Sequence, residues 1–170
     1  MIANKSNFQF DDFFIVKSSL DFIQPKNNEE ITIPEITSQY EIDLNYSFKR
    51  DSESIYLFLK VAVNQVTQPK LGYVLFCEGV GVLDAQRIST LSDAEAGSWR
   101  INAIGYGISQ LRAHLNAITA FCAFGKYTLP LIDLMDLIKS RQKLRTQKTH
   151  KKMPAESRPI KTKTKTRKNK

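Results

Sequence analysis

The residue types that carry most enzyme chemistry are scarce in this chain. His114 and His150 are the only histidines among 170 residues, and Cys77 and Cys122 are the only cysteines. Neither histidine lies in a spacing that builds a metal site or sets a general base, so His114 is expected to be structural or on the surface. Cys77 sits between Phe76 and Glu78 in an apolar run, and Cys122 continues an apolar stripe. Both positions suit buried, reduced thiols better than nucleophiles or a disulfide framework. Gly79-Val80-Gly81 lacks the further glycine and the lysine of a phosphate-cradling loop. The acids Asp11-Asp12, Glu29-Glu30, and Glu41 with Asp43 lack the partners of a glycosidase pair or a metal cluster, and read as solvated strand or turn positions. The expectation is a protein that is not an enzyme, with no catalytic residue, no metal and no cofactor.

The net charge of +8 is an average over two unlike parts. Residues 139–170 hold fourteen Lys/Arg against Glu156 alone, a net of +13, while residues 1–138 hold eleven basic and sixteen acidic residues, a net of −5. Apolar content falls away from Lys139, so residues 1–138 are expected to be the folded domain and 139–170 a basic tail, disordered beyond a helical start. Such a tail can bind nucleic acid or an anionic membrane through counterion release, although it has no aromatic side chain on which a base could stack. Folding back on the acidic body is the other course open to it. No stretch approaches the ~20 apolar residues of a bilayer span, and the first ten residues lack a signal-peptide core, so a cytoplasmic protein is expected.

The elements that position these residues follow from hydrophobic period. Ile101, Ile104, Ile108, Leu111, Leu115, Ile118 and Cys122 recur in steps of three and four, predicting a helix over residues 99–124. At about 1.5 Å per residue it would be a rod of roughly 39 Å. A second row, Ala103, Tyr106, Gln110, Ala113, Ala117, Ala120 and Phe124, lies roughly 150° around the helix. Its small residues would let another helix approach, so this helix is expected to be shared between subunits, with Tyr106, Ala113, Ala117 and Ala120 at the contact. Gly105 and Gly107 are its weak point, each costing about 1 kcal/mol relative to Ala.

Ahead of that helix four strands are expected. Residues 8–22 form the first, in which Phe13-Phe14-Ile15-Val16 breaks alternation as a bulge or two-sided burial does. Residues 24–34 are polar and too long for a tight hairpin, which predicts a crossover. Tyr40, Ile42, Leu44, Tyr46 and Phe48 alternate strictly with polar residues, and Ile55–Val63 pairs with them as an antiparallel hairpin. Gln68-Pro69-Lys70 turns the chain into a fourth strand over residues 71–83. Ser92 with Glu95 has capping-box spacing and predicts a short helix before the long one. Gly125 is the expected stop, and Leu131, Leu134, Met135 and Ile138 predict a second, shorter helix. The fold class is therefore α+β: a four-stranded antiparallel sheet with a crossover after strand 1, then a long and a short helix.

This order of elements resembles the SecB family of export chaperones, over residues 8–138. Phe8-Gln9-Phe10 stands where that family often begins its first strand, and Glu41-Ile42-Asp43-Leu44 resembles its second. Leu75-Phe76-Cys77-Glu78 is similar to a phenylalanine, leucine, cysteine, glutamate run in its fourth. Arg112, Leu115, Ile118 and Thr119 echo the spacing in its long helix, and Leu129-Pro130-Leu131 with Ile132 and Asp133 resembles its link to the last helix. The resemblance implies a cofactor-free holdase for unfolded polypeptide or preprotein clients, assembled as a homotetrameric dimer of dimers through the long helices. It implies a peptide groove between the crossover loop with the second strand and the final helix, lined by Tyr40, Ile42, Leu44, Leu75, Ile132 and Met135. Docking to the SecA motor would fall on Glu78, while Ser18 or a neighbour stands where the family has an acid in the first strand. Gly105 before Tyr106 replaces a common proline, and the basic tail is a further departure. SecB-like proteins also serve as antitoxin chaperones in toxin–antitoxin systems, which is one alternative reading. A nucleic-acid or ribosome-associated adaptor acting through the tail is the other.

Overall fold

The computed structural model describes residues 10–25, 36–122 and 124–151, with side chains as far as Lys143. Its four strands are β1 (Asp12–Ile23), β2 (Ile42–Arg50), β3 (Ser54–Val63) and β4 (Gly72–Asp84). They form one antiparallel sheet in the order β1-β4-β3-β2. Because β1 pairs with β4, the link from β1 to β2 is a crossover, and its residues 26–35 lie outside those described. Phe8 and Gln9, expected at the start of the first strand, also lie outside them. The register shifts between Ile15 and Lys17, which leaves Val16 as the extra residue of a bulge on this outermost strand.

Local chemistry explains the turns. Between β2 and β3 the Asp51 carboxylate accepts from the amides of Glu53 (3.0 Å) and Ser54 (2.7 Å), which holds its pKa below the usual value. After β3, Asn64 turns the chain at φ 60° while its side chain donates to Lys70 O and Tyr73 O and accepts from Lys70 N. Asparagine tolerates that left-handed backbone better than most residues, and here it also ties both ends of the loop.

Three helices follow: α1 (Ala85–Ser89), α2 (Asp93–Thr119) and α3 (Leu134–Lys151). The short α1, capped by Asp84 through Gln86 N at 2.7 Å, had no signal in the periodicity. Ser92 caps α2 itself rather than a separate helix, because nothing between Asp93 and Trp99 interrupts the backbone ladder. Ser92 N donates to Glu95 Oε2 at 2.9 Å, the reciprocal half of the expected capping box. At its other end α2 stops at Thr119, short of the expected Phe124. The Thr119 hydroxyl donates to Leu115 O at 2.7 Å and accepts from Tyr127 N at 2.9 Å, drawing the following chain back across the last turn. Gly125, at φ 72°, then completes the reversal.

Helix α2 covers one face of the sheet with Ile104, Ile108, Leu111 and Leu115, the centre of the predicted stripe. Opposite them lie the alternate residues of the strands, Leu57, Leu59, Val61 and Val63 of β3 and Tyr73, Leu75, Cys77 and Leu83 of β4, all at most 2 % exposed. Each large aliphatic side chain buried this way contributes about 1.5–3 kcal/mol. Gly107 is where helix and sheet come closest, since a Cβ there would collide with Leu59 Cδ1. The glycine that weakens the helix is thus the one that lets it lie on β3. Gly79 and Gly81 act similarly within the continuous strand β4: they leave room for the rings of Phe13 and Phe10.

The chain divides into two units, Met1–Leu134 and Met135–Lys170. The second contains α3 from its second residue onward, and the helix runs past Ile138 to Lys151.

Candidate functional site

The residues expected to line a groove fall at different depths. Tyr40 (7 % exposed), Leu44 (8 %) and Leu75 (0 %) are buried, whereas Ile42 and Ile132 are half-buried. Leu44 and Ile42 share the helix-facing side of β2, opposite Val61 and Val63, and Leu75 is the next partner of Val63 across the sheet. Met135, in the second unit, is 51 % exposed.

Tyr40 belongs to a cluster of three tyrosines. Its hydroxyl donates to Leu71 O and accepts from Tyr73 N, both at 2.9 Å. That bridge holds the entry to β4 at Gly72, whose φ of 94° requires glycine and where a Cβ would strike the Tyr40 hydroxyl. The Tyr73 hydroxyl donates to Gly125 O at 2.6 Å and so ties β4 to the turn after α2. Tyr127 packs against Tyr40 with ring centroids 6.2 Å apart, and its buried hydroxyl has no hydrogen-bond partner among the described residues. Burial raises the pKa of all three phenols, and that of Tyr127 reaches about 12.

The connector between α2 and α3 is fastened by Arg112. Its Nε donates to Leu129 O at 2.7 Å and one terminal nitrogen to Pro130 O at 3.0 Å. This fork gives the arginine of the SecB-like spacing a physical role: it sets the connector that carries Leu131 and Ile132. Leu131 is nearly fully exposed, as is Phe121 just beyond α2.

The sheet's other face is much less covered. Phe14 is 51 % exposed, and Tyr56, Phe58, Phe76, Val80 and Val82 are half-buried. Glu78 lies on this face, directly between Lys17 of β1 and Lys60 of β3 in the strand register. The two ammonium groups lie over the Phe76 ring, at 5.3 and 5.2 Å from its centroid. Cation and aromatic thus surround the one acid that the resemblance marks for docking. Single-sequence reasoning missed this pairing because it depends on which strands are neighbours.

On α2 the expected contact row is accessible. Tyr106, Ala113, Ala117 and Ala120 are exposed, and Tyr106 stacks on Phe10 at 5.0 Å. His114 makes a 2.9 Å hydrogen bond with Ser18 Oγ, joining α2 to β1. Among the described residues no three His, Cys, Asp or Glu side chains gather as metal ligands, and no helix is long and apolar enough to cross a membrane.

A half-bare antiparallel sheet, backed by one long helix and followed by another, is the fold of the SecB-like chaperones. One solved structure similar to this chain is Rv1957 of Mycobacterium tuberculosis, a SecB-like chaperone in complex with a ChAD peptide from the Rv1956 HigA1 antitoxin. The likeness has a TM-score of 0.50 at 13 % sequence identity and covers 73 % of this chain and 90 % of that one. No protein-family model matches the sequence, and no curated protein matches it.

Proposed function

We propose that this protein is a molecular chaperone of the holdase type, which binds unfolded or non-native polypeptide without a cofactor and without covalent chemistry. The observation that carries this reading is apolar surface left open on the sheet and on the segments after α2, in a chain that already has a complete core. Phe14, Val16, Phe121 and Leu131 are at least half exposed, and the aromatic face around Phe58 and Phe76 is half-buried. Surface of this kind suits an unfolded chain, and the outermost strands β1 and β2 offer backbone groups for strand addition. The SecB-like fold supports the same reading, since a solved structure similar to this chain is a complex with a peptide.

Ile42 and Ile132 are the proposed client contacts on the first unit, with the buried Tyr40, Leu44 and Leu75 proposed as the residues that support the groove, and Met135 is the proposed contact on α3. The client is a preprotein for export or a dedicated partner such as an antitoxin. Self-association into a dimer of dimers is proposed for the row of Tyr106, Ala113 and Ala117 on α2 with Ala120 at its C-cap, whose three alanines allow axes about 8–10 Å apart. Glu78 is the proposed contact for SecA, although Lys17 and Lys60 beside it oppose a cation-rich docking segment.

The test is light scattering of a denaturant-unfolded client diluted into buffer with the full chain. Suppression of aggregation near stoichiometric chaperone, reduced by Ile42→Asp and Ile132→Asp, is the expected result. Undiminished aggregation with the folded wild type would sink the reading. A solution mass equal to one chain would remove the proposed helix-mediated assembly.

A further inference from the structure

The open face of the sheet carries a charge pattern that the holdase reading does not use. Side chains alternate between the two faces of a strand, so those out of phase with the buried Leu57, Leu59, Cys77 and Leu83 project away from α2. The register aligns them in rows across β1, β4, β3 and β2. One row is Asp12, Val82, Tyr56 and Lys49, and two rows further on stand Lys17, Glu78, Lys60 and Asn45. Val80 and Phe58 hold the centre of the row between them. An apolar middle is thus edged by charges of both signs. Glu78 has a lysine on either side, yet among the described residues neither closes an ion pair with it, and both ammonium groups lie over Phe76.

The two halves of this face complement each other. A two-fold axis parallel to the strands, lying over the line midway between β3 and β4, exchanges β4 with β3 and β1 with β2 and keeps every row level. A second copy placed by that axis sets its Lys60 opposite Glu78 and its Glu78 opposite Lys60. It also sets Lys49 opposite Asp12, Tyr56 opposite Val82, Phe58 opposite Val80 and the small Ala62 opposite Phe76. Acid meets base and apolar meets apolar. A two-fold along β4, or one crossing the strands at Glu78, would instead lay Glu78 on its own copy. Facing sheets pack about 10 Å apart with about 30° between their strands, and the long lysine side chains can span the offset this rotation makes at the rim. Four strands about 4.8 Å apart, matched over about seven residues of about 3.4 Å each, give a footprint of roughly 450 Å² a copy. A total of about 900 Å² belongs with weak, reversible interfaces.

We propose that the open face of the sheet is a self-docking surface, on which a second copy of this chain packs face to face about that axis. The contact is separate from the α2 row and does not depend on the holdase reading. It covers Glu78, so self-docking and any other partner at Glu78 exclude each other.

Sedimentation equilibrium of the full chain tests this, with Ala117→Glu in every sample so that association through the α2 row does not contribute. The expected result is a reversible monomer–dimer step in the micromolar range. Lys60→Glu and Glu78→Lys should each weaken that step at least about tenfold, because each sets like charges against each other twice in the symmetric pair. An equimolar mixture of the two variants should recover it, since in the mixed dimer both contacts again join opposite charges. Charge effects confined to one chain cannot give that recovery. Asp12→Lys and Lys49→Glu, at exposed strand ends, form a second pair with the same expected behaviour, and circular dichroism checks that all four variants fold. A wild-type face that stays monomeric, single variants that associate as the wild type does, or folded variants whose mixture recovers nothing would each overturn the proposal.

Discussion

Tyr40 and Tyr127 stand ring to ring with centroids 6.2 Å apart, yet only Tyr40 has its hydroxyl engaged. The two phenols therefore predict opposite outcomes for the same substitution. Tyr40→Phe strands the buried amide of Tyr73 and the carbonyl of Leu71 and should cost about 1–3 kcal/mol. Tyr127→Phe removes a buried hydroxyl that no described group satisfies, and should be neutral or stabilising by up to about 1 kcal/mol. Urea denaturation of the two variants measures both; equal losses would contradict the bonding pattern.

Arg112 predicts a difference between charge and geometry. Arg112→Lys keeps the positive charge but cannot place two donors on Leu129 O and Pro130 O at once. A loss of about 1–3 kcal/mol, with faster amide exchange in residues 126–133, is expected. Unchanged exchange in that stretch would show that the fork does not hold the connector.

Gly107 sets helix propensity against packing. Gly107→Ala gains about 1 kcal/mol of helix propensity, but the new methyl collides with Leu59 Cδ1, in a side chain that is itself buried. Overpacking of a close helix–sheet contact costs about 1–3 kcal/mol, so the variant should melt below the wild type. Gly97→Ala is the control: its Cβ meets nothing within 4 Å, and this variant should be stabilised.

Cys77 predicts alkaline sensitivity. Burial, with the Glu78 charge second, pushes its thiol up to about 11 from 9.0. Between pH 9 and 11 the unfolded chain releases that proton while the folded chain keeps it, so stability falls as pH rises, by up to about 1.4 kcal/mol per pH unit. Denaturation midpoints should drop across this window, and less steeply in Cys77→Ala. Below pH 9 a thiol reagent should modify the half-buried Cys122 in the native protein and reach Cys77 only on unfolding.

Interactions between near neighbours were legible from the chain alone. Strict alternation over 40–48 and 55–63 determined the β2–β3 hairpin, Ser92 and Glu95 determined the start of α2, and the three-four period from Ile104 to Leu115 determined which side of α2 is buried. The broken alternation at residues 13–16 marked the bulge at Val16. Each of these depends on residues within about a turn or a hairpin of one another, so the pattern carries the whole cause.

Tertiary structure decided the rest. The helix ended at Thr119 because a hydroxyl reached Tyr127 N, and Tyr40 became a pin for Leu71 and Tyr73 rather than an open surface. Lys17, Glu78 and Lys60 became neighbours only when β4 took its place between β1 and β3. Contacts between residues dozens of positions apart are fixed by strand order and by the volume left between elements, and neither quantity is written in the period of any one segment.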